Sequence, residues 1–407
     1  MTITALNILE DGTLASVAPV NENFETLRVG VNTNESAINV LNDTTNNLAE
    51  EVSSLGDIVK PDLTYEKTDM QFMIANGKNG IKIKAGTVIR LNVAEDDIRF
   101  LQLEDDTIYN IFEIMDTGIS SLEAGKDYYV YVVKKDIVDS ETNEVTKTVE
   151  IKASLNSTCP TGYTMAESRK IGGFHTLCIG VTSANAPVLK DTNIFETHPA
   201  IGYNAGDIIP NSVWCLSHRP QSNPEGMVFV DKIDKWVDIY LQSGTELSTV
   251  SMYGATVTDN RQPINHQWDM ELNNKKLPTD NDFMMFAEGS NQQTAIYGSV
   301  SPNPKTAGGH LDTTGKRMIS GYFIEECCGY LWQWLDEIAP CGGSGFASYG
   351  TGADGRGNSY GMPYNLGAGG SWDDSSSCGS RSRGANSGRS LVSPYCGGRG
   401  VSLPLRI

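Results

Sequence analysis

The sequence has few basic residues for its size. Its 407 residues include 31 Lys and Arg against 50 Asp and Glu, which gives a net charge of −19 at pH 7. A surface this negative repels phosphate backbones and anionic lipid, so we expect no nucleic-acid partner.

The chain also lacks long hydrophobic runs. Tyr128–Val133 is among the longest, and about 20 apolar residues are needed to span a bilayer, so we expect no membrane insertion.

The chain also lacks the usual signatures of catalysis and metal binding. Its five histidines and eight cysteines show no H-x-x-x-H, H-x-H or C-x-x-C spacing. Gly350–Gly355 matches G-x-G-x-x-G and Gly357–Gly361 matches G-x-S-x-G, but neither has the flanking strand and helix that these motifs require. The acidic loops Asp280–Asp282 and Asp373–Asp374 could hold calcium, but neither has the full calcium-loop pattern. We predict no catalytic residue and no cofactor, and calcium is unsupported.

The N-terminus has no signal-peptide pattern, because Met1–Asp11 contains neither Lys nor Arg and no long apolar core. A strict seven-residue repeat follows in Leu27–Val59, where eight of ten seam positions are apolar. This repeat is typical of a coiled coil, although a helix packed on its own domain remains the alternative. Polar Asn34 and Thr45 leave both dimer and trimer open. We predict that residues 1–60 are an N-terminal segment with an oligomerising coiled coil.

Residues 61–193 show extended runs separated by turns. No segment of useful length has helical periodicity, so we predict a mostly antiparallel β shaft or linker domain. Lys170–His175 is predicted to break into a turn, and His175 to be packed or exposed without a catalytic role. The extended runs are Ile81–Lys84, Thr87–Val93, Tyr128–Val133, Val145–Ile151 and Leu177–Val181.

All six tryptophans fall in the C-terminal half of the chain, residues 194–407. There Val228–Val230 and Trp236–Leu241 predict buried strands, and Asn281–Ala287 predicts a helix. Cys341–Gly400 is rich in Gly and Ser, yet aromatic residues are spaced through it and the apolar Val401–Ile407 follows. We therefore predict long ordered loops on a packed scaffold, not a low-complexity linker.

Four motifs follow one another near the C-terminus: G-Y-L-W-Q-W at 329–334, G-G-S-W at 369–372, C-G-S-R-S-R at 378–383 and G-G-R-G-V at 397–401. Their order resembles the formylglycine-generating-enzyme type of C-type lectin fold, over roughly Ile194–Ile407. The resemblance implies a C-terminal α+β lectin-like domain with Trp332, Trp334 and Trp372 in its core. The enzymes of this family use two cysteines five residues apart. The corresponding positions here are Asp374 and Gly379, so we do not expect an enzyme.

The same arrangement is similar to phage and prophage tail-fibre receptor-binding proteins whose lectin domain is varied by diversity-generating retroelements. Pro19–Phe24, before the coiled coil, resembles the start of tail-fibre proteins. The resemblance implies a homotrimer at the fibre tip of the virion, made in the host cytoplasm. Its partners would be a host-cell surface receptor, protein or glycan, and other tail proteins through the N-terminus. A bacterial lectin-like adhesin is the alternative, and a formylglycine-generating-type oxidase is a more distant one.

The segment Ser344–Cys396 is composed largely of residues that binding loops use, namely Tyr, Ser, Gly and Asn. We assign five positions around it to the scaffold: Gly370, Trp372, Cys378, Arg381 and Arg399. The predicted ligand-binding residues lie between these positions and are Tyr349, Arg356, Asn358, Tyr360, Asp373, Asp374, Ser376, Ser377, Arg383, Ala385, Asn386, Ser390, Ser393 and Tyr395.

Overall fold

The computed structural model describes residues 63–65, 71–119, 121–190, 194–296, 301–348 and 358–405, with the backbone alone at 63–65, 340–348 and 358–363. All of them belong to one unit, Asp62–Ile407. The predicted coiled coil at Leu27–Val59 lies outside the described residues and stays a prediction. No described helix is long and apolar enough to cross a membrane.

The first described region consists of two three-stranded antiparallel sheets. Its elements are β1 (Leu63–Tyr65), β2 (Met73–Ala75), β3 (Gly80–Ile83), β4 (Thr87–Ala94), β5 (Asp97–Gln102), β6 (Thr107–Asn110) and the helical turn α1 (Ile111–Ile114). The sheet orders are β1-β4-β5 and β2-β3-β6. In β4 the alternating residues Thr87, Ile89 and Leu91 are buried, which is the period-two pattern of a sheet with one face in the core. The mostly-β expectation is confirmed for this region.

A four-stranded sheet follows, built from β7 (Asp127–Val138), β8 (Val145–Ser154), β9 (Ser168–His175) and β10 (Trp214–Cys215) in the order β10-β9-β7-β8. The predicted turn at Lys170–His175 is wrong, because these residues form β9. Gly172 serves close packing here: a Cβ would lie 2.3 Å from the Trp214 carbonyl oxygen. Leu177–Val181 was expected to be extended and forms no strand. The pairing of β9 with β10 carries the sheet across the predicted boundary at residues 193 and 194.

The next region contains short strands and the two longer helices. Its elements are β11 (Arg219–Pro220), β12 (Met227–Val230), β13 (Lys235–Asp238), α2 (Pro263–Leu272) and α3 (Asp280–Phe286). The strand runs and α3 agree with the sequence-based expectations. Helix α2 was missed because its buried positions include Pro263, His266 and Asp269, which do not form an apolar stripe. Single 3-10 turns occur at Met165–Glu167, Pro210–Ser212, Glu246–Ser248 and Ser375–Ser377.

The C-terminal region is built on a four-stranded sheet with the order β16-β15-β14-β17. Its elements are β14 (Trp332–Ser348), β15 (Asn358–Gly369), β16 (Gly379–Gly388), β17 (Cys396–Gly397), β18 (Val401–Ser402) and β19 (Pro404–Leu405). The long loops predicted within Cys341–Gly400 are largely wrong, since β14, β15 and β16 extend through this segment. Glycine carries no side chain, so these strands show no alternation of apolar and polar residues. Register shifts interrupt both of their pairings, as β-bulges do.

The largest core cluster lies in this C-terminal part. It includes Tyr240 after β13, Phe283 of α3, Tyr330 and Leu335 around the start of β14, and Val401 of β18. A smaller cluster packs Trp334 of β14 against α2. The start of strand β14 is therefore buried on both sides. The rest of β14 continues from this buried end and pairs with β15.

Candidate functional site

Arg399, in the last of the four motifs, is fully buried and joins three other segments. Its Nε donates to Gln333 Oε1 at 2.8 Å. One terminal nitrogen donates to the carbonyls of Asp238 and Ile239 at 2.8 and 2.7 Å, and the other to that of Glu325 at 2.5 Å. A buried guanidinium is stable only when its donors are bonded. The assignment of Arg399 to the scaffold agrees with this geometry.

The two tryptophans of β14 pack differently. Trp334 is buried and packs with Met270 of α2. Trp332 is half-buried, and its indole lies over the strands beside it: a Cβ on Gly367 or Gly384 would be 3.5 or 3.6 Å from the ring. Both distances are in the range of ordinary van der Waals contact, so the indole packs on β15 and β16 at these two glycines. The motif thus fixes the start of β14 to its neighbours.

The G-G-S-W turn connects β15 to the segment before β16. Gly369 and Gly370 have φ of +93° and +84°, a conformation that glycine adopts readily. A Cβ on Gly370 would lie 2.7 Å from Cys378 Sγ. The Asp374 carboxylate accepts from the Ser371 backbone N–H at 2.7 Å and from its hydroxyl at 2.5 Å. These contacts stabilise the turn. The Asp374 carboxylate is hydrogen bonded within the turn and is therefore part of the fold.

An aromatic pair lies beside this turn. The Trp372 and Tyr395 rings stack with centroids 4.8 Å apart and planes 19° from parallel. Trp372 packs against the core, whereas Tyr395 is 36% exposed. The segment before Tyr395 is held from below, since the Lys305 Nζ donates to the Pro394 carbonyl at 2.9 Å. Tyr395 therefore presents an aromatic face to solvent from a supported position.

The structure exposes part of the predicted ligand-binding set. The exposed members lie on the turn before β16, along β16 and before β17, and they are Asp373, Ser376, Ser377, Ala385, Asn386 and Tyr395. Ser390 is half-buried. Tyr349 and Arg356 lie outside the described residues. For Asn358 and Tyr360 only the backbone is described, and it pairs with Ser348 and Phe346 of β14.

Two other predicted residues serve the fold. The Arg383 guanidinium contacts Asp280 and lies 5.2 Å from the Phe283 ring centre, which ties β16 to α3. Ser393 is buried, and its hydroxyl accepts from the Tyr395 N–H at 3.2 Å. These side chains hold the surface in place, and neither is freely presented to a ligand.

One residue that was predicted to belong to the scaffold, Arg381, lies on the surface. It was assigned to the scaffold because it falls within a motif, but it is exposed on β16 while Ser380 before it is buried. Arg381 therefore joins the surface candidates.

The chemistry of the site offers neither a nucleophile nor a metal site in the described chain. Burial raises the pKa values of the Cys378 and Cys396 thiols to about 12, so both are protonated near neutrality and unreactive. Among the described residues no group of three or more His, Cys, Asp and Glu is placed to hold a metal ion. The Asp282 carboxylate pairs with Lys235 at 2.7 Å. What remains, among the site residues whose side chains are described, is a polar surface with one exposed aromatic ring, that of Tyr395.

Comparisons with known proteins agree with this geometry. A family model described as the Mtd second domain matches residues 71–215. The chain is 27% identical over 367 residues to the tail fiber receptor-binding protein of Bordetella phage BPP-1, covering 85% of each chain. The solved structures of the Major Tropism Determinant I1 and U1 variants match with TM-scores of 0.66 and 0.65 and identities of 27% and 26%. Each match covers 86% of this chain and 88% of the other.

These similarities extend beyond the C-terminal motifs to most of the chain. The phage relative is a tail fiber receptor-binding protein by name. The mostly-β architecture with few helices is that of the Major Tropism Determinant. The resemblance inferred from the motifs is thus confirmed: over most of its length the chain is similar to a phage tail-fibre receptor-binding protein and to structures of the Major Tropism Determinant.

Proposed function

We propose that this protein binds a host-cell surface receptor through the C-terminal surface formed by Asp373, Ser376, Ser377, Arg381, Ala385, Asn386 and Tyr395. The observation that carries the proposal is the contrast between these exposed side chains and the buried groups beneath them. Arg399 and Trp334 are enclosed, and Asp374 is committed to the turn. Exposed substitutions usually change stability by less than about 0.5 kcal/mol. This surface can therefore change without loss of the fold.

The composition of the surface fits adaptable recognition. Tyr supplies contact area at low entropic cost, and Ser and Asn supply hydrogen bonds that suit many partners. The solved relatives bear the names of variants of a single determinant, which supports a scaffold that accepts changes. We include Tyr349, Arg356, Asn358 and Tyr360 in the proposed surface, because in the sequence they lie between the end of β14 and the first residues of β15.

The test is a triple substitution of exposed positions, Asp373→Ala, Asn386→Ala and Tyr395→Ala, in the full chain. We expect binding to host cells to be lost or redirected while the melting temperature stays within about 2 °C. A matched control replaces Glu95 and Asp96 with Ala in the exposed β4–β5 turn and should retain binding. Unchanged binding by the triple variant, with binding lost in the control, would place the receptor surface on the β shaft.

The remaining organisation is part of the proposal. Residues 1–60 form the oligomerising N-terminal segment and contact other tail proteins, residues 61–193 form the shaft, and residues 194–407 carry recognition. We propose a homotrimer at the fibre tip, made in the host cytoplasm. Several copies on one fibre bind a cell together, so weak single contacts add up to firm attachment.

A further inference from the structure

The outward face of α2 carries a stripe of large apolar side chains. Ile264, Trp268 and Leu272 are spaced four residues apart and are 36%, 55% and 39% exposed. Residues at this spacing lie on one face of a helix. Trp268 is near the centre of that face, because His266 and Met270, two residues to either side, are buried on the opposite face.

This stripe is not explained by the packing of α2. The helix already buries its inner face, and the outer face of a surface helix is ordinarily polar. The stripe extends over nine residues, and the eight steps between its ends give a length of about 12 Å at 1.5 Å per residue. Clustered exposed apolar side chains mark interaction sites, and tryptophan contributes most strongly to such sites.

Exposed glutamates lie on both sides of the stripe. On one side Glu271 is exposed three residues after Trp268, and its carboxylate accepts from the Gln267 side chain at 3.1 Å. On the other side Glu246 lies against the helix, since its N–H donates to Asp269 Oδ1 at 2.9 Å and its carbonyl accepts from Asn273 Nδ2 at 2.7 Å. In the described part of the chain neither Glu246 nor Glu271 forms an ion pair with Lys or Arg. The stripe therefore has an acidic rim.

We propose that the outward face of α2 binds an amphipathic segment of another protein. Its apolar side chains cover Trp268, and its Lys or Arg side chains pair with Glu246 and Glu271. A second copy of this chain, with the same acidic rim and a net charge of −19, is a poor complement because like charges would face each other. The rim also opposes an anionic lipid surface. The stripe lies outside the C-terminal recognition surface, so the two can be tested separately.

The experiment uses the full chain and two synthetic helical peptides of equal length, one of Leu and Lys and one of Leu and Glu in the same amphipathic pattern. Binding is measured by fluorescence anisotropy of the labelled peptide at physiological salt. We expect the basic peptide to bind and the acidic one not to bind. Trp268→Ser should weaken binding by at least about tenfold, as should the Glu246→Lys and Glu271→Lys pair. Leu403→Ser, at a position 52% exposed elsewhere, should leave it unchanged.

Three outcomes would overturn the proposal. Absence of binding by the basic peptide would exclude this partner chemistry. Equal binding to the parent chain and to Trp268→Ser would show attraction to the acidic protein in general. A change of oligomeric state in Trp268→Ser, followed by sedimentation velocity, would show that a second copy covers the stripe. Because Trp268 is largely exposed, thermal melts should show all variants folded.

Discussion

At the scale of single residues, the two arginines of the C-terminal motifs differ in surroundings and therefore in expected cost. Arg399→Lys removes the planar donors that bind Gln333 and three carbonyls. Groups left unbonded in the interior are costly, so we expect the free energy of unfolding to fall by about 3–5 kcal/mol. Arg381→Lys, at an exposed position, should change it by less than about 0.5 kcal/mol. Urea unfolding of both variants measures the difference, and equal stabilities would contradict the structural role of Arg399.

His310 gives a residue-scale prediction about pH. Its Nδ1 contacts the buried Glu326 carboxylate, which also accepts from the Gly308 N–H, and its ring lies 4.9 Å from that of Tyr330. Burial disfavours the charged imidazole, but the charge and hydrogen bond of Glu326 outweigh burial, and the pKa of His310 is raised above 6.5. Glu325 nearby acts in the same direction, and Arg317 opposes it.

The sign of the effect follows from linkage. A raised folded-state pKa means that the folded protein holds the proton more tightly than the unfolded chain. This contribution to stability is complete below about pH 6.5 and is lost as pH rises through the raised pKa of His310. We expect His310→Gln to lower the melting temperature most at about pH 6 and least at about pH 9. A loss of equal size at both ends of this range would mean that His310 acts by packing alone.

At the scale of elements, β9 shows how glycine can belong to a strand. A Cβ at Gly172 would meet both the Trp214 carbonyl and the Met73 side chain at 2.3 Å. We therefore expect Gly172→Ala to destabilise the protein by about 1–3 kcal/mol through overpacking. Gly118→Ala, where a Cβ would meet nothing within 4 Å, is the control and should be nearly neutral. Thermal melts of both variants test this, and a neutral Gly172→Ala would refute the close approach of β9 and β10.

The same elements show what the sequence could predict. Thr87–Val93 and Tyr128–Val133 are rich in β-branched and aromatic residues, so strands were expected there, although β7 extends beyond the predicted run to Val138. Helix α3 was recognised from its apolar residues. Gly172 and the glycines of β15 resemble turn residues because their role depends on a neighbouring strand that is distant in sequence. Helix α2 was missed because its inner face is largely polar. A local sequence pattern predicts structure that depends on neighbouring residues in the chain. Strand β9, strand β15 and helix α2 depend instead on tertiary packing.

The sequence likewise predicted one part of the candidate site and missed another. The ordered motifs identified the scaffold, and Arg399 and Gly370 are buried as a scaffold requires. Composition indicated the surface in general, but it could not separate Asn386, which is exposed, from Arg383, which contacts α3. That separation depends on a tertiary contact, because α3 reaches Arg383 through Asp280. It could not be read from a Gly- and Ser-rich segment.

At the scale of the whole molecule, the heptad seam predicts a parallel homo-oligomer. We expect light scattering to give three times the chain mass for the full chain and a smaller assembly for a chain starting at Asp62. Replacing Leu41 and Leu48, both at seam positions, with Lys would place like charges against one another in an apolar seam and should dissociate the oligomer. Lys at Asn46 and Asn47 adds the same charge outside the seam and should leave the mass unchanged.

A full chain that is monomeric at micromolar concentration would refute the coiled coil, whereas a dimer would refute the trimer alone. If the seam variant kept its mass while the Asn46 and Asn47 variant lost it, the contacts would lie on the polar face.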